Sequence, residues 1–165
     1  MPWTLEQLSD RQDIMDVQHR YARGIDGRDW ALYRSVFASR ILVDLTSWYG
    51  GKPLDLLADE WVERVAARQT GFDSTQHQMS NHLISLVGDV AECTTYIVAR
   101  HHLAVEGNDR VQKIGGYYRN ALHKQGGAWV IVQLSLHVLW TEGDRALFDL
   151  AHARTLAGAQ GKVPF

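Results

Sequence analysis

From Ser74 to Trp140 the chain reads "STQHQMSNHLISLVGDVAECTTYIVARHHLAVEGNDRVQKIGGYYRNALHKQGGAWVIVQLSLHVLW", a long stretch with strand-like periodicity. Only turn signals interrupt it: Gly88-Asp89, Gly107-Asn108-Asp109 and Gln125-Gly126-Gly127. None of these connections has the dozen or more residues that a parallel crossover requires, so the four strands must pair antiparallel as a meander. Whatever else the chain does, it has to cover that sheet.

The material for doing so comes first in sequence. Ile14, Val17, Tyr21 and Ile25 recur at intervals of three and four, which marks one face of a helix, and Ser9 with Gln12 suggests a capping box that starts it near Asp10. Gly24 and Gly27 bracket its end. Asp29 then caps a shorter helix carrying Trp30, Leu32, Tyr33, Val36 and Phe37. "RILVDLTSWYGGKP" reads as a strand that ends in a turn, and Pro53 opens a third helix through "PLDLLADEWVERVAARQ". A further helix is expected in "GDRALFDLAHARTLAG", with loose final residues. Helices followed by a long antiparallel sheet define an α+β arrangement, expected as one domain over residues 1–165. A strongly bent sheet wrapped around the helices would leave an internal pocket, and Gly115-Gly116 marks a bulge that could bend it.

Charge and composition restrict the function. The net charge is −2, with 17 basic and 19 acidic residues and no basic run, so no nucleic-acid footprint is present. No apolar run approaches the ~20 residues that span a bilayer, and the N-terminus lacks the basic and apolar regions of a signal peptide. The expectation is a soluble cytoplasmic protein. A single cysteine, Cys93, excludes an internal disulfide and the usual cysteine zinc clusters. Eight histidines invite a metal, but "ARHHLAVE" has neither H-E-x-x-H spacing nor a carboxylate cluster, and no metal or cofactor is expected. Nucleotide-binding glycine motifs and the G-x-S-x-G elbow are absent too.

Two residues form the most informative pair. Asp26 sits where the first helix ends, in a segment otherwise bound for the interior. It is either a simple turn former or a carboxylate with a partner. His77 is the partner that would give it chemistry, because a carboxylate on one ring nitrogen sets the tautomer and frees the other nitrogen to exchange a proton.

The layout "YARGIDGRDWALYRSVFA", "ILVDL", "STQHQMSNHLISLVGDVAECTTYIVARHH" and "GGYYRNAL…AWVIVQLSLHVLW" resembles the SnoaL-like branch of the NTF2-like superfamily. It is most similar in character to the scytalone dehydratase-like and hexachlorocyclohexane dehydrochlorinase-like members. The resemblance covers about Leu8 to Trp140 and rests on the helix-end Asp, the "T-x-H-x-x-x-N" strand start and the "GD-x-A" hairpin. It implies a cone of curved sheet, a homodimer or homotrimer, and a deep pocket for a hydrophobic small molecule. It also implies that Asp26 and His77 form a general-base dyad, that Asn81 matches a recurrent Asn, and that a second His lies near His101 or His102. Alternation sends those two to opposite faces, and the reading favours His102 as the inward one. Dehydrochlorinase-like members carry a Lys where this chain has Tyr21, which instead offers a hydrogen bond to substrate or simply fills the core.

Further candidates are Trp48 and Tyr49, ending the first strand, as pocket walls or core cover, Arg119 as an anion holder if its face turns inward, and His137 lining a wet pocket or a subunit interface. His82 is expected to be a bystander. The implied activity is a cofactor-independent lyase or isomerase, dehydratase-like or polyketide cyclase-like. The alternative is a non-catalytic binding module or a partner subunit resembling the β subunit of ring-hydroxylating dioxygenases.

Overall fold

The computed structural model describes residues 3–159 and 161; the expected loose C-terminal residues fall mostly outside that set. Helix α1 (Leu5–Asp26) starts earlier than the Ser9 signal suggested. Thr4 is the N-cap, its hydroxyl accepting the Gln7 N–H at 3.1 Å while the Gln7 side chain accepts the Thr4 N–H at 3.0 Å. This capping box lies upstream of the Ser9–Gln12 pair and releases Asp10 for another task. Asp10 is buried and accepts the Trp129 indole N–H at 2.9 Å, with Lys124 at 2.8 Å.

The expected stripe of Ile14, Val17, Tyr21 and Ile25 is buried. Helix α2 (Trp30–Ser35) follows, capped by the Asp29 carboxylate on the Leu32 N–H at 2.9 Å. Gly24 lets the two helices approach closely, since a Cβ there would sit 2.6 Å from the Tyr33 backbone nitrogen.

Strand β1 (Phe37–Asp44) is shorter than predicted. The Asp44 carboxylate takes the Thr46 N–H at 3.0 Å and the Thr46 hydroxyl at 2.7 Å, turning the chain into a one-turn helix, α3 (Thr46–Tyr49). Trp48 and Tyr49 therefore project from a helical turn and do not end a strand. Gly50 and Gly51, at φ +74° and +79°, reverse the chain, and β2 (Leu54–Leu57) returns antiparallel beside β1. Pro53 thus precedes a strand, and helix α4 (Ala58–Gln69) starts at Ala58. The β-pairing available at β1 overrides the local helix signal.

Strands β3 (Ser74–Val87), β4 (Val90–Val105), β5 (Asn108–Gln125) and β6 (Ala128–Gly143) form the predicted meander, and helix α5 (Leu147–Leu156) follows. The six-stranded sheet is ordered β2-β1-β6-β5-β4-β3, antiparallel except for the parallel β1–β6 pair. It is curved and does not close, in the manner of an NTF2-like cone.

Register shifts mark its bends. One falls at Gly115/Gly116, where any side chain on Gly115 would collide with the Trp140 indole and any on Gly116 with the His137 carbonyl. Another falls between Ser80 and Leu83, where Asn81 adopts φ +54°. Along β4 burial alternates strictly, with Ala91, Cys93, Thr95, Ile97, Ala99, His101 and Leu103 turned inward. Those side chains, the α1 stripe and α4 enclose the core. No helix among the described residues is long and apolar enough to cross a membrane.

Candidate functional site

Asp26 closes α1 and faces the first residues of β3. Its Oδ1 accepts the Thr75 hydroxyl at 2.9 Å and meets His77 Nδ1 at 2.7 Å, while Oδ2 accepts the His77 backbone N–H at 2.7 Å. Burial works against the anion and is the largest single influence on it. The neighbouring His77 ring, its two donors and the Thr75 hydroxyl together outweigh burial and hold the Asp26 carboxyl below the usual carboxylate range. An ionised carboxylate can only accept, so Nδ1 carries the proton and Nε2 presents a lone pair. His77 lines a cavity of about 510 Å³.

The cavity's deep wall is aromatic and phenolic. Tyr21, Tyr33 and Tyr118 are all buried there. The Trp61 indole donates to the Tyr33 hydroxyl at 3.2 Å, and the Tyr21 hydroxyl donates to the Tyr118 hydroxyl at 3.1 Å. Burial pushes the Tyr118 phenol well above its ordinary value, with Tyr21 and Asp26 adding to the effect, so it keeps its proton. Since it accepts from Tyr21, its own O–H is left to donate into the cavity.

His101 stands beside His77, with ring centroids 5.4 Å apart and planes at 88°. Phe148 at 4.7 Å and Phe72 at 5.1 Å complete a cage around it. Neither of its ring nitrogens meets hydrogen-bond geometry. Burial and the adjacent His77 push its pKa down to about 3, against a weak backbone influence from Gln112, so it is a neutral imidazole at ordinary pH.

The structure brings His77, Tyr21, Trp48 and Tyr49 to one cavity, with Tyr49 at its mouth, and sets Asp26 behind His77, outside the lining. Other candidates lie elsewhere. His102 is exposed and His101 is the inward one, reversing the expected assignment. The signal was present in sequence: Arg100 shares parity with His102, and an unpaired Arg belongs in water.

Asn81 is exposed, because its positive φ inserts an extra residue and breaks the alternation begun at His77. Arg119 also faces out, exposed and paired with Glu92 at 2.8 Å, so it holds nothing in the pocket. His137 turns away from the cavity and stacks on Tyr117, centroids 4.7 Å apart and planes 12° off parallel. His82 packs edge-on against His19 at 5.7 Å, outside the cavity. Sequence reasoning missed Thr75, Tyr33, Tyr118 and Trp61. Of these Thr75 was readable, since it lies two residues before His77 on the same strand face. Among the described residues no group of three or more His, Cys, Asp or Glu is placed to hold a metal ion.

Comparison with known proteins identifies the family and the fold. The model for the SnoaL-like domain family matches residues 6–135. No curated protein matches the sequence. Among solved structures, Kfla4162 from Kribbella flavida superposes with a TM-score of 0.75 at 22% identity, over 89% of this chain and 97% of that one. The hexachlorocyclohexane dehydrochlorinase LinA-type3 from Novosphingobium barchaimii LL02 gives 0.69 at 19% identity, over 86% and 94%. A candidate scytalone dehydratase from Novosphingobium aromaticivorans gives 0.71 at 19%, over 84% and 89%. At such identities these likenesses speak to fold alone, whereas the family model covers most of the chain: the protein belongs to the SnoaL-like domain family, on an NTF2-like fold.

Proposed function

We propose that this chain is a cofactor-independent lyase or isomerase that removes a proton next to a carbonyl or leaving group on a hydrophobic, ring-bearing small molecule. One observation carries the reading: His77 Nδ1 is held 2.7 Å from a buried, ionised Asp26 while the ring lines an apolar cavity. In the first step Nε2 takes the substrate proton, the C–H electron pair moves toward the carbonyl, and the resulting imidazolium is stabilised by the Asp26 charge. The developing oxyanion is met by the Tyr118 hydroxyl and by a neutral His101 N–H, donors already fixed in a dry site. The proton then returns to a departing hydroxyl, giving dehydration, or to another carbon, giving double-bond migration. Aldol-type ring closure uses the same base.

Dehydrochlorination, named for one structural neighbour, is a poorer fit because the cationic Lys expected there is replaced by Tyr21. The polar, part-exposed sheet face around Tyr96, Tyr117 and His137 supports association of copies through that surface, as a homodimer or homotrimer. The test is deuterium exchange. The chain is incubated in D2O with cyclic ketones and β-hydroxy ketones, and label at the α-carbon is followed by NMR. His77→Asn should slow protein-dependent exchange by about 10²- to 10⁴-fold. Equal exchange in the variant would refute the base assignment. Exchange no faster than solvent across the panel, with ligands still bound, would favour a binding module.

A further inference from the structure

We propose that the cavity takes an amphiphile whose apolar body fills the interior and whose oxyanion, a carboxylate or a phosphate, docks on a cationic mouth formed by Lys52, Arg64 and Arg68. The inference rests on the small-molecule reading above and deepens it by naming the substrate class.

The cavity wall is graded. Its floor is His77, His101, Tyr21, Tyr33 and Tyr118, all buried, whereas Lys52, Arg64 and Arg68 line the same cavity and are exposed. The basic residues are therefore at the entrance. No carboxylate lines the cavity.

Among the other cations of the described chain eight are ion-paired, while Arg11 and Arg100 are held by neutral acceptors, the Ile84 carbonyl and the Gln76 and Gln78 side chains. Arg20, Arg34, Arg40, Arg110, Arg119 and Arg154 each have an ion pair, as do Lys113 and Lys124. Lys52, Arg64 and Arg68 appear in none of those pairs. Arg64 and Arg68 stand four residues apart on α4, where like charges share a face and repel. The helix dipole offsets this for Arg68 in the last turn, whereas Arg64 lies earlier, one turn after Glu60, whose carboxylate accepts the Leu57 N–H at 3.2 Å. With a net charge of −2, the positive mouth is not a by-product of a basic chain.

Aromatic rings hold part of this mouth in place. The Arg68 guanidinium lies 5.4 Å from the Tyr49 ring centroid. Arg145 lies 4.4 Å from Trp48 and 5.8 Å from Tyr49. A guanidinium over a ring face keeps its in-plane N–H groups free, and their planar fork matches a carboxylate or phosphate. Asp149 on α5 acts on Tyr49 but forms no ion pair with these arginines. A ligand that spans floor and mouth would thus present its reacting carbon to His77 while its anion fixes depth and orientation.

The test uses the full chain and three probes of one shape: naphthalene-2-carboxylate, naphthalene-2-carboxamide and 2-naphthyl phosphate. Binding is read from the fluorescence of Trp48 and Trp61, which line the cavity, and checked by calorimetry. The carboxylate or the phosphate should bind at least tenfold tighter than the amide at low salt. In the Arg64→Gln/Arg68→Gln double variant that ratio should fall to within about twofold, with amide affinity retained. Whichever anion binds tighter in the parent identifies the source, free acid or phosphate-bearing carrier.

Equal affinity for anions and amide, no binding of any probe, or a ratio that survives in the double variant would each overturn the proposal. His77→Asn separates it from the catalytic reading. That variant should lose proton exchange and keep the anion preference, whereas loss of the preference there, and not in the arginine variant, would place the anion at His77 and overturn the mouth site.

Discussion

Asp26→Asn is the most revealing single change, because the two residues are nearly isosteric and differ in what they can accept. The carboxylate takes three hydrogen bonds, two on Oδ1 from Thr75 and His77 Nδ1 and one on Oδ2 from the His77 backbone. An amide offers one oxygen and one NH2 group. If its oxygen takes the Oδ1 place, its NH2 opposes the His77 backbone N–H. If it is flipped, the NH2 faces Nδ1, which must then become the acceptor and move the ring proton to Nε2. Either arrangement loses one charge-assisted bond in a buried setting, a loss of about 2–3 kcal/mol. For a chain of this length that is roughly 5–10 °C in Tm.

The pH dependence has a definite sign. The folded-state pKa of Asp26 is depressed, so its contribution is fully present above the unfolded carboxylate value and is lost as pH falls through the folded one. Urea denaturation of parent and variant from pH 7 to pH 2.5 should therefore give a constant difference above about pH 4 and a shrinking one below it. In parallel, 15N shifts of the imidazole should show Nδ1 protonated in the parent and Nε2 protonated in a growing fraction of the variant. An unchanged stability with an unchanged tautomer would refute the account of how Asp26 holds His77.

Three other predictions use different parts of the molecule. His101, neutral in the fold with a pKa near 3 against an ordinary 6.5, contributes stability that is present above pH 6.5 and drains as pH falls toward 3. That amounts to about 3 kcal/mol by pH 4, and His101→Phe should flatten this limb in acid titrations followed by circular dichroism. Gly24→Ala gains nearly 1 kcal/mol of helix propensity but sets a methyl against the Tyr33 backbone, so the net effect should be a loss of about 1–3 kcal/mol in chemical denaturation; a stabilised variant would show that α2 can shift. The Cys93 thiol, buried with its pKa pushed up to about 12, should react with a thiol reagent only on unfolding, and stoichiometric labelling of the native protein would contradict its burial.

Much of the molecule is readable from local pattern. The antiparallel meander follows from three short turns, and the α1 stripe from a spacing of three and four, because both depend on neighbours along the chain. Asp26 and His77 could be named as a pair because each gives the other a chemical use and because the resemblance to SnoaL-like proteins falls on both. What local pattern could not supply was register. Alternation carried on from His77 would turn Asn81 inward, but one residue at φ +54° reverses the parity beyond it. The outward turn of Arg119 is settled by which face of a curved sheet meets α1, a contact between segments some 90 or more residues apart in sequence. The strand at Leu54–Leu57 likewise exists only because β1 offers an edge to pair with. Sequence by itself determined the long helix and the meander and named Asp26 and His77 together; tertiary structure decided what surrounds that pair, since side-chain direction is set by pairing and closure that no short window of residues contains.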